Sequence, residues 1–443
     1  MKTLTVKISD KFVPEKTYTL NVLLGEILGL DYAIEPYGQD DTVICFDDRS
    51  ITIKDAFWRN FDDGTEYISA NSLPNPKRME SAYAPEKDMI VLYGDGTVDN
   101  AGDKEIICNN DILAGAFFML TRWEEIAVKE RDAHNRFQAI SSVAYKNGFL
   151  DRPVVNEYAQ LLWNMLTALG YAGERRMQGY ELVPTHDIDW LEFRHFRRKS
   201  LKMAAYQLLK KKNVRESVKL LGDVFGADPY DQFGYFMRQS EKNGLKSHFY
   251  FMSAAPHTDS FSADNYLGRP KFRKVLQNAV SRGHSIGFHP GYFSYTDSAE
   301  WSREHDALRK VVGTEIVEGR QHFLMFENPT TLRQWDENGM TLDSTLSYAD
   351  HEGFRCGTGC VYTFYDVMSR KPFRVKERPL VVMDCTVNGY RDLTKEELLA
   401  TFRHYTDLGK KYQMPITILV HNSFFYGVNW KVWKELYPII LSM

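Results

Sequence analysis

The sequence predicts an α/β protein in two parts, and three observations carry that reading. From Gly179 onward, short apolar runs alternate with amphipathic helical patterns, which predicts parallel strands joined by crossover helices. Several of those runs end in an acid or a histidine: Asp187 and Asp189, His289, Asp384, His421. The chain also has 443 residues, too many for one ordinary core. Two domains are therefore expected, 1–175 and 176–443, divided at a polar stretch containing Gly173 and Gly179.

In the first part, Leu4, Val6 and Ile8 alternate as a strand, and the apolar runs 42–46 and 89–93 fit buried strands. Residues 111–127 read as a helix through Ile112, Ala116, Met119, Leu120 and Trp123. A second helix is expected over 155–169, with Gly170 as its C-cap. Gly94-Asp95-Gly96 reads as a turn, and no phosphate-binding glycine loop occurs. Nothing in 1–175 is arranged like a catalytic site.

In the second part, residues 231–243 form a helix ending at Gly244, and the aromatic run 247–252 is a strand. Pro270 opens a helix whose stripe is Phe272, Val275, Leu276, Ala279 and Val280. A strand ending at His289 follows, then a helix over 301–312. Asn328-Pro329 starts a helix that stops at Gly339, and Thr394 with Glu397 forms a capping box. The strongly apolar run 415–420 closes the series and delivers His421.

Composition narrows the function classes. Hydrophobic residues at 43% and charged residues at 26% are those of a soluble globular protein. A formal net charge of −4 argues against nucleic acid as a main partner. The 14% aromatic content fits either sugar-stacking surfaces or large cores. No transmembrane segment is expected, and the N-terminus alternates like a strand rather than a signal peptide, so the cytoplasm is the expected location. Five scattered cysteines make no disulfide framework, and Cys356 and Cys360 lack the second pair of a structural zinc site. Nothing in the pattern fixes an oligomeric state. A basic segment from Arg194 to Arg215 reads as a solvated helix face, or as a contact for a phosphate-bearing substrate or an anionic membrane surface.

The chemistry sits in the strand ends. In Thr185-His186-Asp187-Ile188-Asp189, the period of two puts Asp187 and Asp189 on one face of a strand. Paired carboxylates either share a cation, or one binds it while the other accepts a proton; the alternative is a helix cap. His289 reads as a ligand or as a buried structural histidine, and His284 as structural. Arg355, in a glycine-punctuated loop, reads as a substrate contact or a loop pin. Tyr292 and Trp190 read as sugar-stacking rings or as core.

These motifs, in this order, resemble the polysaccharide deacetylase family, the NodB-homology fold also called carbohydrate esterase family 4. Thr185-His186-Asp187-Ile188-Asp189 is similar to its TFDDG motif, Gly283 to His289 to GHEIGNH, Arg320-Gln321-His322-Phe323 to RPPY, and Leu419-Val420-His421 to its closing LxxH. The resemblance implies a distorted parallel (β/α) barrel over about 179–443, with the N-terminal α/β domain outside it. It implies Asp187 as catalytic base, Asp189 and His289 as metal ligands, Arg320 as a buttress of the base and His421 as general acid. Asp384 is the candidate to orient His421. Where the family has its second metal histidine this chain has Phe293, so the triad is completed by His322, with His257 as the alternative. The backbone N–H of Phe323 is the expected oxyanion donor, and Tyr292 and Arg355 are expected at the substrate.

The implied activity is metal-dependent removal of an N-acetyl group from an amino sugar, with a divalent ion for which zinc is the best chemical fit. A cytoplasmic enzyme would meet a carbohydrate still linked to a nucleotide or a lipid, whose phosphates the basic segment would suit. Two other readings remain: a non-catalytic carbohydrate-binding module on a degenerate deacetylase fold, and a hydrolase of another C–N bond.

Overall fold

The computed structural model describes residues 3–193, 197–253, 266–425 and 432–443. Contacts within it gather into two compact units: residues 1–181, 324–382 and 404–417 form one, and 182–323, 383–403 and 418–443 the other.

The first unit contains a six-stranded mixed sheet. Its order is Tyr32–Pro36, Leu4–Ile8, Thr42–Phe46, Arg49–Ile53, Glu105–Asn110, Gly94–Asn100. Leu4, Val6 and Ile8 are buried while Thr5 and Lys7 are half-buried, the alternation of a sheet with one covered face. Four of these strands carry Glu, Arg or Asn and so show no continuous apolar run. The Gly94-Asp95-Gly96 turn expected from sequence is instead the start of a strand. Its glycines take φ of 134° and 90°, and the pairing with Glu105–Asn110 slips between Gly94 and Val98.

The single helix expected over 111–127 is two, Ile112–Thr121 and Glu124–Ala127. Arg122 breaks it with φ 52° and turns its guanidinium inward, onto Glu124 and Glu125 at 2.9 Å each and the Tyr348 hydroxyl at 3.0 Å. Arg355 belongs to the same buried network. Its Nε and Nη2 donate to the two Glu125 oxygens at 2.9 and 2.6 Å, and Nη1 donates to the Ser347 carbonyl. Only 3% of Arg355 is exposed. The substrate contact expected of it is thus replaced by the pinning role, because its fork of donors is already spent on protein. Breaking a buried pair strands the remaining charge, so Arg355→Ala is expected to lower unfolding stability by about 3–5 kcal/mol in urea titrations.

The second unit is built on parallel strands in the order Glu318–Gly319, Ser285–His289, His248–Met252, Leu182–Ile188. Every residue of Leu182–Ile188 is buried, as expected of a parallel strand covered on both faces. Residues 418–420 run beside it: the Val420 N–H donates to the Thr185 carbonyl, and the Thr185 hydroxyl to the Ile418 carbonyl. Pro270–Ser281 buries Phe272, Val275, Leu276 and Ala279, but Val280 faces solvent. The capping box closes as expected, with the Thr394 N–H donating to Glu397 Oε2 at 2.8 Å at the start of Lys395–Tyr412. At the junction of Ser285–His289 with Glu318–Gly319 the backbones approach so closely that a Cβ on Gly319 would collide with the Phe288 carbonyl. Because the strands are parallel, their C-terminal ends share one edge. The architecture is mixed α/β with a parallel-rich sheet.

Candidate active site

Asp187 is the sixth residue of Leu182–Ile188, and Asp189 follows the strand end directly. His289 is the last residue of Ser285–His289, and Arg320 follows Glu318–Gly319. The parallel pairing therefore carries these four side chains to one edge.

Three of the sequence candidates come together as a ligand set. Asp189 Oδ1 lies 3.2 Å from His289 Nε2 and 3.7 Å from His322 Nε2. Their ligating atoms all fall within 4.8 Å of one another. His289 donates from Nδ1 to the Arg320 carbonyl at 2.6 Å, which fixes the ring orientation and turns Nε2 towards Asp189. Apart from each other, Asp189 Oδ1 and His289 Nε2 are buried without a hydrogen-bond partner, an arrangement that suits a cation site. Burial pushes the His322 imidazole down to about 4, so it is neutral and available as a ligand near pH 7. Burial also opposes ionisation of Asp189, yet His322, His289 and His421 hold its carboxyl well below the usual carboxylate range. One carboxylate and two imidazoles suit a borderline divalent ion such as zinc.

Beside this set, Asp187 is held from behind. Arg320 Nη1 donates to Asp187 Oδ1 at 2.9 Å and to the Thr185 hydroxyl at 2.9 Å, and its guanidinium lies over the Tyr250 ring, 5.1 Å from the centroid. The other oxygen, Asp187 Oδ2, is 3.8 Å from His289 Nε2. A buried guanidinium with a fixed fork sets the rotamer of this carboxylate.

His421 forms a second pair with Asp384. Asp384 Oδ1 accepts from His421 Nδ1 at 2.8 Å, while Oδ2 accepts the His421 backbone N–H at 2.7 Å. This commits Nδ1 and leaves Nε2 as the outward nitrogen. Burial disfavours the imidazolium, but the Asp384 carboxylate, with Cys385 beside it, raises His421 well above its ordinary value. His421 lies within electrostatic reach of both Asp189 and His322.

The remaining candidates divide. Phe323 sits edge-on to His322 at 4.7 Å and Tyr292 against Phe323 at 5.3 Å, so both rings border the site. Phe323 takes φ 58°, a left-handed conformation uncommon for a bulky residue and found mainly where surroundings enforce it. Phe293, at the position of the missing histidine, is exposed. His284 is structural: its Nδ1 accepts the Ser247 N–H at 3.0 Å and its Nε2 lies 3.2 Å from Glu241. Trp190 packs against Phe193, Val224 and Tyr230. His257 and Arg194 lie outside the described residues. Arg355 is in the other unit.

Sequence reasoning missed three supports. Thr185 accepts from Arg320, and its place two residues before Asp187 on the same strand face was a usable signal. Glu304 Oε2 accepts the Gly291 N–H at 2.7 Å, and Gln321 Nε2 donates to the Gly291 carbonyl at 2.7 Å, so the turn after His289 is gripped from both sides. Burial pushes Glu304 up to about 7. Glu304 sits in a charged helical stretch that gave no sign of this.

A family model described as a family of unknown function (DUF7033) matches residues 4–171. No curated protein matches the chain. Among solved structures it is similar to a protein named as a polysaccharide deacetylase from Mycobacterium smegmatis, with TM-score 0.38, 13% identity, and coverage of 60% of this chain and 85% of that one. It is also similar to a family 4 carbohydrate esterase from Streptomyces lividans in complex with acetate, with TM-score 0.29, 12% identity, and coverage of 60% and 88%. A third is IcaB from Ammonifex degensii, with TM-score 0.23, 14% identity, and coverage of 38% and 84%. The likeness extends over part of the chain.

Proposed function

We propose that residues 176–443 form a distorted NodB-type barrel that removes an N-acetyl group from an amino sugar of a polysaccharide or its nucleotide- or lipid-linked precursor. Residues 1–175 supply none of the reacting groups. The observation that supports this most is a set of groups: an Asp189 and His289 pair with no partner beyond each other, next to an arginine-held carboxylate at Asp187, with a carboxylate-held imidazole at His421 within electrostatic reach.

Asp189, His289 and His322 would hold a divalent ion. When bound, such an ion acidifies a water and draws off negative charge from an acyl oxygen. Asp187, oriented by Arg320, takes the proton of the attacking water through Oδ2. His421, charged through its bond to Asp384, faces the site with Nε2 and hands a proton to the leaving amine. A pure binder has no use for a base and an acid on the same site. The Phe323 N–H supplies a donor to the acyl oxygen, and the rings of Phe323 and Tyr292 line the approach.

Elemental analysis and acetate release from N-acetylglucosamine oligomers test the proposal together. The parent is expected to carry stoichiometric metal and to release acetate, both lost in Asp189→Ala and His289→Ala. Absence of metal and of acetate release in the parent would leave the carbohydrate-binding reading. Metal with hydrolysis of some other amide would leave the other C–N hydrolase.

A further inference from the structure

From Arg197 onward the basic segment runs through two helices of the second unit, Arg197–Leu209 and Val214–Phe225, joined by residues 210–213. Stretch 197–225 holds nine Lys and Arg against Glu216 and Asp223, in a chain of net charge −4. We propose that this hairpin docks the protein on an anionic lipid bilayer. The proposal stands independently of the deacetylase reading.

Its basis is sidedness. The helices touch at Ala204 and Ser217, the Ser217 hydroxyl donating to the Ala204 carbonyl at 2.9 Å, and Ser200 on the first and Val224 on the second are buried as well. Exposed apolar residues lie about 100° further round each helix, one position C-terminal to the contacts. On the first these are Leu201 and Leu208, with Leu209 about 180° round on the outer edge and the exposed Met203 and Tyr206 on the opposite flank; on the second they are Val218 and Phe225, with Val214 on the same stripe. The short connection makes the helices antiparallel. In an antiparallel pair of right-handed helices, an equal rotation from the contact line brings both stripes to the same side. Leu208 is 45%, Val218 62% and Phe225 77% exposed, so this side is an apolar face open to solvent.

The positive charge borders that face. Arg198, Lys202, Arg215 and Lys219 fall about 160–200° from the contact line, on the outer edges of the two stripes. Lys210, Lys211 and Lys212 crown the turn. Aliphatic residues flanked by lysine and arginine are what an interfacial helix presents to acyl chains and anionic headgroups together. A second copy of the same face would bring like charges together, which disfavours self-association as the cover. No helix among the described residues is long and apolar enough to cross a membrane, so binding would be peripheral.

Co-sedimentation with vesicles tests this. The full chain is expected to pellet with phosphatidylcholine vesicles containing roughly one third phosphatidylglycerol, to stay soluble with pure phosphatidylcholine, and to be released by high salt. Neutralising Lys210→Gln, Lys211→Gln and Lys212→Gln together should weaken binding about a hundredfold, at roughly fivefold per residue. Leu209→Ser, Val218→Ser and Phe225→Ser combined should abolish it while circular dichroism stays at the parent value. Failure of the parent to bind the anionic vesicles, or equal binding to neutral ones, would overturn the proposal. So would a concentration-dependent dimer that Phe225→Ser dissolves, since the face would then belong to a second copy.

Discussion

Asp187→Asn is expected to lower kcat/KM for acetate release by about 10²–10⁴-fold, the usual range for removing a general base. The geometry makes the substitution informative. Asparagine keeps the shape and an oxygen for Arg320 Nη1, which also retains the Thr185 hydroxyl, so the local structure has reason to persist. It leaves a buried guanidinium without its counter-charge, however, and some stability should be lost in urea titrations. Metal content should remain at the parent value, because Asp189, His289 and His322 are untouched. An Asp187→Asn protein that folds, holds metal and still turns over at the parent rate would remove the proton-acceptor role, and with it the proposed mechanism.

The second large effect is at His421. His421→Ala should again reduce turnover by about 10²–10⁴-fold, and mostly for substrates whose leaving amine needs a proton. The more discriminating variant is Asp384→Asn. In the parent, Asp384 raises the His421 imidazole against its burial, so the acid form survives to alkaline pH and the pH–rate profile should fall only there. Without that carboxylate, burial acts unopposed and the alkaline limb should move to lower pH. Stability follows the same linkage. A histidine whose folded value is raised stabilises the fold fully below its unfolded value of about 6.5, and that contribution is lost as pH rises through the folded value. Urea titrations across neutral to alkaline pH should therefore show a decline in the parent that Asp384→Asn flattens. A profile whose alkaline limb does not move in Asp384→Asn would assign the limb to another group.

These tests rest on residues that differ in how they could be found. Asp187, Asp189, His289 and His421 each terminate an apolar run, and a buried strand ending in a charged or titratable group is visible in a linear sequence. The pairing of Arg320 with Asp187 spans 133 residues and has no local signature. Glu304 and Gln321 are equally silent: they matter because they clamp a backbone turn supplied by a different strand. The opposite error occurred at Arg355. A glycine-rich loop with one arginine looks like a substrate grip, but the arginine points into a core where Glu125 already waits for it. The helix break at Arg122 has the same origin, since its buried partners outweigh the apolar periodicity of 111–127.

Taken alone, the sequence determined the alternation of strand and helix, the capping signals, and which residue types end the strands, because these depend on spacing within a few residues. Tertiary structure decided which of those ends face each other, which arginine serves a carboxylate at the edge and which one serves the core, and which side of the basic hairpin is left apolar. Those outcomes depend on contacts between residues far apart in the chain, and no local pattern encodes the distance between two side chains that only the packed sheet brings together.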